Sequence, residues 1–528
     1  LKQTSNTIIV SKWIEAGLDP LERGITGVAE GFFSREHNDG TRRWLRIAWI
    51  LGLYLAGIAA WGVFFKWGSF SLNFHDWYEI TAPRFAFLKD AVTRGLLPLH
   101  ISDTMTFNYR TDRYLSVPDV FLSPQAILLR FMSVGHFVLA DVWMMYTLGF
   151  LGLLWLQRKF RLSSAALAAL FLVFNFNGHV LAHYSVGHVT WGGYFLFPWF
   201  VIQMIRLLDG QRGWTWVAET AGLLVLIVLQ GSFHQFTWCL LFLGFLALSD
   251  RRAFFPAVEA AGFSVALNLF RIVPIFLTSS LFKYPFIGGY SDLTGIWDAL
   301  VNIENPQMSI PATNGSLGSW EVTIYVGLVG AGFLLYFGFY RWMNPRLRQA
   351  GYQQLLLPVM GLIILSFGFA FGSLRDLLPS IFAGVRVVSR IFSLPFTFLA
   401  VFAAVEFQGW LEGLRTRRLI PYAAVFAAMI VEAFDLAKNF NIWMMTNTMT
   451  AFSQTTTRHG AWIVANHADR AYFRYLSAGL AGTLFSLTVL AGLLIWERKR
   501  RKRIVDIISG ERQPRTTKSS PKRVVSKI

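Results

Sequence analysis

The sequence predicts an all-α polytopic membrane protein, a bundle of about twelve transmembrane helices with extracytoplasmic loops and short interfacial helices. Three observations predict it. Hydrophobic residues make up 54% of the 528 and charged residues only 15%, at a mean hydropathy of +0.46. A water-soluble chain of this size needs about a quarter of its residues charged. Apolar runs of about 20 residues, enough to cross a hydrocarbon layer about 30 Å thick, recur along the chain. Arginine-rich connections follow every second run, which fixes direction through the positive-inside bias. The single cysteine, Cys239, excludes a disulfide framework, an iron–sulfur cluster and a cysteine-built zinc site.

Residues 1–46 form a cytoplasmic segment, amphipathic through Trp13, Ile14, Leu18, Leu21 and Ile25, then basic at Arg42, Arg43 and Arg46. No cleavable signal peptide is expected, because the first long apolar run starts only near Ile47; opening on Leu, the sequence is expected to lack its true start. The transmembrane domain covers 47–496. Its first crossing, 47–66, leads to the first extracytoplasmic loop, 67–135. Crossings at 138–156 and 164–178 follow, and a fourth returns to Arg206 and Arg212. Val217–Leu248 is too long for one helix and is interrupted by Gln230-Gly231-Ser232-Phe233-His234-Gln235, which predicts two short crossings around a polar elbow. A seventh crossing at 256–277 opens into an outer loop, 278–320. Crossings at 322–340 and 353–372, one descending to Arg415-Thr416-Arg417-Arg418, and one at 419–434 lead to the outer loop 436–475. The last crossing ends in a basic tail, 497–528.

That tail places both termini in the cytoplasm. It holds 12 Lys/Arg against 3 acids, about half of the net charge of +18, and directly follows an apolar span. A juxtamembrane basic cluster is drawn to anionic lipid, so the bilayer is the expected partner. No aromatic interleaving supports nucleic acid, and none is expected. On this map the protein sits in the cytoplasmic (inner) membrane with its chemistry on the extracytoplasmic face, where most of the ten histidines fall.

The leading chemical candidate is Asp76 in Asn73-Phe74-His75-Asp76-Trp77-Tyr78-Glu79. A carboxylate at the membrane boundary, flanked by aromatics, is partly desolvated and suited to general-base work on a hydroxyl or amine. His179 and His183 share a helix face but lack a committed third ligand, so sugar hydrogen bonding or plain interface placement is favoured over zinc. His234 and Gln235, at mid-membrane, need polar partners and are expected to line a cavity or brace the elbow. Tyr290 and Asp292 mix an aromatic and a carboxylate, which suits contact with acceptor or sugar and equally suits a plain loop. Arg271 is expected to pair with an acid inside the bundle. Asn314-Gly315-Ser316 matches a glycosylation sequon by chance, and Cys239 reads as packing.

From Asp76-Trp77-Tyr78 through Arg94-Gly95-Leu96-Leu97-Pro98-Leu99-His100 and Val117-Pro118-Asp119 to Leu122-Ser123-Pro124, the chain resembles the integral-membrane glycosyltransferases of the GT-C superfamily, particularly the YfhO-like bacterial membrane proteins. Gly178-His179, Gly187-His188, Glu321 to Gly327 and Val385 to Phe392 continue the similarity in order, with His100 standing where that pattern has Trp. The resemblance implies a GT-C-like bundle and a catalytic Asp76. It further implies transfer of a sugar from a polyprenyl-phosphate-linked donor to a glycan, lipid or protein acceptor, with His75, His179, His188, His234, Gln235, Tyr290 and Asp292 around the sugar.

Such a reaction builds charge on the departing phosphate, which planar guanidinium groups stabilise. Arg386 and Arg390, four apart on an expected helical entry, are the favoured phosphate ligands; Arg84 is secondary, as is Arg271 where it is not paired with an acid. No cofactor is demanded; a divalent metal is compatible, with its ligands unassigned. Neither a phosphate-cradling glycine loop nor a nucleophile elbow is present. Two other classes stay open: a lipid or solute transporter or flippase, and a noncatalytic assembly subunit on the same scaffold.

Overall fold

A computed structural model describes residues 31–33, 40–102, 111–278, 287–312, 315–377, 385–413, 419–452 and 462–510. The basic tail beyond 510, Asn314 of the sequon and most of the 1–46 segment lie outside the described residues. The described residues are nearly all helix, and among them are two two-stranded antiparallel sheets, Ile101–Ser102 with Trp462–Ile463 and Ser309–Ala312 with Gly315–Gly318.

The helices needed below are α1 (Gly40–Phe64), α2 (Ala82–Arg94), α3 (Val134–Phe160), α4 (Ser164–Asn175), α5 (Gly178–Val186), α6 (Phe197–Leu208), α7 (Trp214–Leu229) and α8 (Phe233–Ser249). They continue with α9 (Phe254–Leu267), α10 (Leu269–Thr278), α11 (Leu293–Val301), α12 (Gly327–Phe333), α13 (Leu356–Leu365) and α14 (Gly368–Leu374). The last four are α15 (Ser393–Gly413), α16 (Leu419–Trp443), α17 (Met445–Ala451) and α18 (Arg470–Gly510).

Among the described residues six helices are long and apolar enough to cross a membrane: Arg43–Phe64, Val134–Phe160, Ser164–Val186, Ser389–Gly413, Ile420–Trp443 and Arg470–Arg503. The bent pair α9 and α10 makes up to seven. The remaining apolar runs are shorter helices, such as α7 and α8, which break where polar residues interrupt them. The burial pattern separates a core from a shell. The apolar stretch of Ser389–Gly413 is wholly buried and that of Ser164–Val186 nearly so, while the apolar stretches of α1, α16 and α18 turn mostly outward. Phe485 and Ile420 are 71% and 84% exposed. Water would penalise such surface heavily, whereas hydrocarbon does not, so the long apolar helices fit a membrane protein.

Breaks occur where polar groups find partners. The elbow turns at Gly231, whose φ of +86° suits glycine. Its neighbours are all bonded: Gln230 Nε2 donates to Asp141 Oδ2 (2.7 Å), Gln125 Nε2 to Gln230 Oε1 (3.0 Å), and Ser232 Oγ to Thr190 O. The expected two helices around a polar elbow are present, although His234 and Gln235 belong to the first turn of α8 rather than to the turn itself.

At the 76° bend between α9 and α10, the freed Phe270 N–H donates to Thr483 Oγ1 of α18 (3.1 Å). Fully buried Arg271 follows the bend. Its expected acidic partner is replaced by backbone: it donates to the carbonyls of Leu115 (2.6 Å), Val117 (2.7 Å) and Pro118 (3.1 Å). Three carbonyls of an irregular segment must be satisfied away from water, and one guanidinium does it.

Replacing Arg271 by Met should therefore cost about 3 kcal/mol, seen as a lower melting temperature in detergent. Arg271→Lys should recover only part of it, because an ammonium cannot span three carbonyls in one plane.

Candidate functional site

The site is assembled around the C-terminal end of α5. A helix ends with carbonyls that lack intrahelical partners. Here every one of them is taken. Backbone N–H groups of Gly187 and His188 close on Tyr184 O (3.2 Å) and His183 O (2.9 Å), with Gly187 at φ +105° as the left-handed cap. The next three carbonyls receive side chains of the first loop. Trp77 Nε1 donates to Ser185 O (2.9 Å), His75 Nδ1 lies 3.4 Å from Val186 O, and Thr81 Oγ1 donates to Gly187 O (2.5 Å). A Cβ at position 187 would meet Trp77 N at 2.6 Å and Asp76 C at 2.9 Å, so the loop backbone lies directly on this glycine. His75 pays with an unusual backbone, φ +45°.

This docking delivers Asp76 to the histidines. His188 Nε2 lies 2.7 Å from Asp76 Oδ2, and His188 Nδ1 lies 2.8 Å from His183 Nδ1. With Asp76 ionised, His188 Nε2 carries the proton between them. A neutral His188 then accepts from His183 Nδ1; a protonated one donates to it, forcing His183 onto its Nε2–H tautomer. The three residues form a proton relay whose inner end, His183 Nε2, has no hydrogen-bond partner among the described residues. His179, one turn earlier and edge-on to His183 at 4.5 Å, likewise keeps Nε2 without one. Burial pushes the Asp76 carboxyl up, but the His188 hydrogen bond and the charges of His188, His75 and Arg390 outweigh it and hold the group below its ordinary value.

Arg390 thus reaches the acid electrostatically. Its guanidinium lies 4.8 Å over the Trp191 ring and is clasped by Glu321 through Nε and Nη2. Trp191 in turn stacks on His183 (4.6 Å) and on His234 (6.1 Å), while Gln235 Nε2 donates to its carbonyl (3.2 Å). Ser389 Oγ donates to Glu321 O (2.7 Å), pinning the start of the buried helix to the acid-bearing turn. On another side Arg84, buried in α2, lies 3.5 Å from Asp119. Burial raises the Asp119 carboxyl, but the charges of Arg84, His234 and His188 bring it below its ordinary value, which places this pair beside the same histidines.

Most of the sequence candidates therefore converge: His179, His188, His234, Gln235 and Arg390 meet around Trp191, Asp76 joins them through His188, and His75 stands beside Asp76. Others do not. Arg386 and Arg390 share no helix face, because the stretch through Val387 pairs as a strand with Gly288; Gly288 N donates to Arg386 O and Val388 N to Gly288 O (both 2.7 Å), and the helical turns begin only at Ser389. Arg386 is exposed, although its charge, like that of Arg390, reaches His234. Tyr290 is buried and spends its hydroxyl on Val322 O (2.7 Å), so it braces the outer segment. Asp292 is the N-cap of α11, accepting from Thr294 Oγ1 (2.5 Å) and Gly295 N (2.9 Å).

Trp191, Glu321 and Asp119 were not singled out from sequence as site residues. Their signals were present: an acid next to Trp320, and a Trp three residues past His188. As for a metal, His179, His183 and His188 form a chain rather than a convergent ligand set among the described residues.

The chain matches no family model, no curated protein and no solved structure. The family resemblance accordingly rests on the quoted motifs alone.

Gly187→Ala should push the loop off the α5 end. We expect a lower melting temperature, by about 2 kcal/mol from the left-handed backbone and the backbone clash together. Gly187→Asn should be milder, since Asn tolerates this conformation better.

Proposed function

We propose that this protein is an integral-membrane glycosyltransferase of the GT-C type, moving a sugar from a polyprenyl-phosphate-linked donor to an acceptor on the extracytoplasmic face. The observation that carries the reading is the Asp76–His188–His183 relay with Arg390 beside it. Asp76, ionised and 22% exposed, takes the proton of an acceptor hydroxyl as that oxygen attacks the anomeric carbon. The glycosyl–phosphate C–O bond breaks, and its electron pair leaves with the phosphate. Glu321 occupies the Nε–Nη2 edge of Arg390, which leaves the Nη1 end for that second anion. His188, with its proton on Nε2, holds the carboxylate in place through that bond while Asp76 keeps its other oxygen for the acceptor proton.

A lipid-linked donor also needs a place for its tail. An apolar groove of about 470 Å³ lies between α4, α12, α15 and α16, lined by Leu172, Phe333, Phe407, Trp410 and Met429. Its α4 wall leads directly into α5, the helix that carries His179 and His183. In this reading the protein lies in the cytoplasmic membrane with the first loop outside and the basic C-terminal end of α18 inside.

One observation favours a second reading, a proton-coupled transporter. A chain of buried ionisable groups with unpartnered nitrogens at its inner end is what a proton path through a bundle requires. Movement of a labelled lipid-linked sugar across vesicles without any transfer would select it.

For the transferase, Asp76→Asn should lower transfer from a labelled polyprenyl-phosphate sugar by about 100-fold or more, with the protein still folded and inserted; unchanged turnover would overturn the assignment. The pH profile supplies a second check. Because the Asp76 carboxyl is held below its ordinary value, wild-type transfer should persist from neutrality through the pH range in which an ordinary carboxylate protonates, and fail only below it. Removing a charge that depresses it, in Arg390→Gln or His188→Gln, leaves burial less opposed, so the acid limb of the residual rate should move to higher pH.

A further inference from the structure

A cluster of metal-ligating side chains sits where the first loop meets the segment before α18, and the transferase reading makes no use of it. His100, Asp112 and His467 offer ligand atoms that all lie within 4.8 Å of one another. We propose that they form a site for a divalent cation of the zinc class, with one coordination position open to solvent.

The backbone builds this cluster. His100 precedes the strand Ile101–Ser102, which lies between two other segments. On one side Ile101 N donates to Asp112 O (2.8 Å) and Tyr114 N to Leu99 O (3.1 Å); on the other Val464 N donates to His100 O (3.3 Å). Residues far apart in sequence are thereby held in register.

His100 is 1% exposed, walled by the Tyr472 and Phe473 rings, and its ring lies 4.3 Å from that of His467. Its Nδ1 bonds Asn466 Oδ1 at 3.2 Å, so the proton sits on Nδ1 and Nε2 presents a lone pair. That nitrogen is buried and has no partner among the described residues. A carboxamide on one ring nitrogen and an open lone pair on the other is the arrangement of a metal-binding histidine.

The other two ligands are accessible. His467 is half-exposed, and its Nε2 lies 2.7 Å from Asp112 Oδ2. Tetrahedral zinc with bonds of about 2.0 Å spaces its ligands about 3.3 Å apart. A cation therefore enters by opening the short Asp112–His467 contact and drawing His100 in, through small rotations of side chains. Arg113, next in sequence to Asp112, is spent on Asp469 through two bonds of 2.7 Å, so its charge is compensated. Two imidazoles and one carboxylate suit zinc and its neighbours rather than magnesium or calcium.

The test uses the full chain, purified in detergent, stripped with chelator and titrated with zinc chloride. We expect one zinc retained per chain after gel filtration, and cobalt giving the visible absorption of a four-coordinate site. His467→Gln and Asp112→Asn, both at partly open positions that leave the fold intact by gel filtration, should each weaken zinc retention by about tenfold or more. His136→Gln, at an exposed histidine elsewhere, should leave it unchanged. Absence of retained zinc in the wild type, or equal retention in both ligand variants, would overturn the site.

Discussion

The C-terminal turn of α5 is buried inside a helical bundle, and its carbonyls have no water to turn to. Those of Ser185, Val186 and Gly187 are satisfied by three side chains from a seven-residue stretch of the first loop, Trp77, His75 and Thr81. This constraint sets the rest of the site. A loop bound at three points to one helix end cannot slide, so Asp76 is delivered within hydrogen-bond distance of His188 as a consequence of backbone bookkeeping. Gly187 permits the approach and His75 accepts a left-handed backbone to complete it.

Around that anchor the polar residues are arranged in pairs that keep each charge compensated. Arg390 has Glu321 and the face of Trp191; Arg84 has Asp119; Arg271 has three carbonyls; Asp76 has His188. Low-dielectric surroundings make each pairing matter, because an isolated charge there is expensive. The same economy fixes the field of the cluster, with a carboxylate ionised and a guanidinium held over an aromatic ring; under the proposed transferase reading a phosphate or hydroxyl would enter a field already oriented.

Much of this was legible in the chain, and for identifiable reasons. Asp76 stood out because an acid between aromatics at a span boundary is costly unless used. The elbow stood out because Gln230 to Gln235 interrupt an apolar run. The count of about twelve crossings was less secure: several runs, such as those at 217–229 and 353–365, form helices of 10 to 17 residues, short of a full crossing by length, among the described residues. Apolar length alone does not reveal where a helix will stop to let Asn268 or Gly231 bend the backbone. The arginine pair failed differently. Spacing by four places two side chains on one face only if the segment is helical, and pairing with Gly288 made it extended.

Composition and apolar periodicity determined that this chain is helical and suited to lipid, since both follow from local residue type and the solvent each residue prefers. They also placed polar chemistry in the segment after the first span. Which polar groups meet was decided by tertiary structure. Asp76 and His188 are 112 residues apart, and Arg390 and Glu321 are 69 apart. Hydrogen bonding is short-ranged and directional, so no pattern along the chain encodes such pairs. They exist because packing of the buried helices brings the loop, the end of α5 and the turn before α15 to one place.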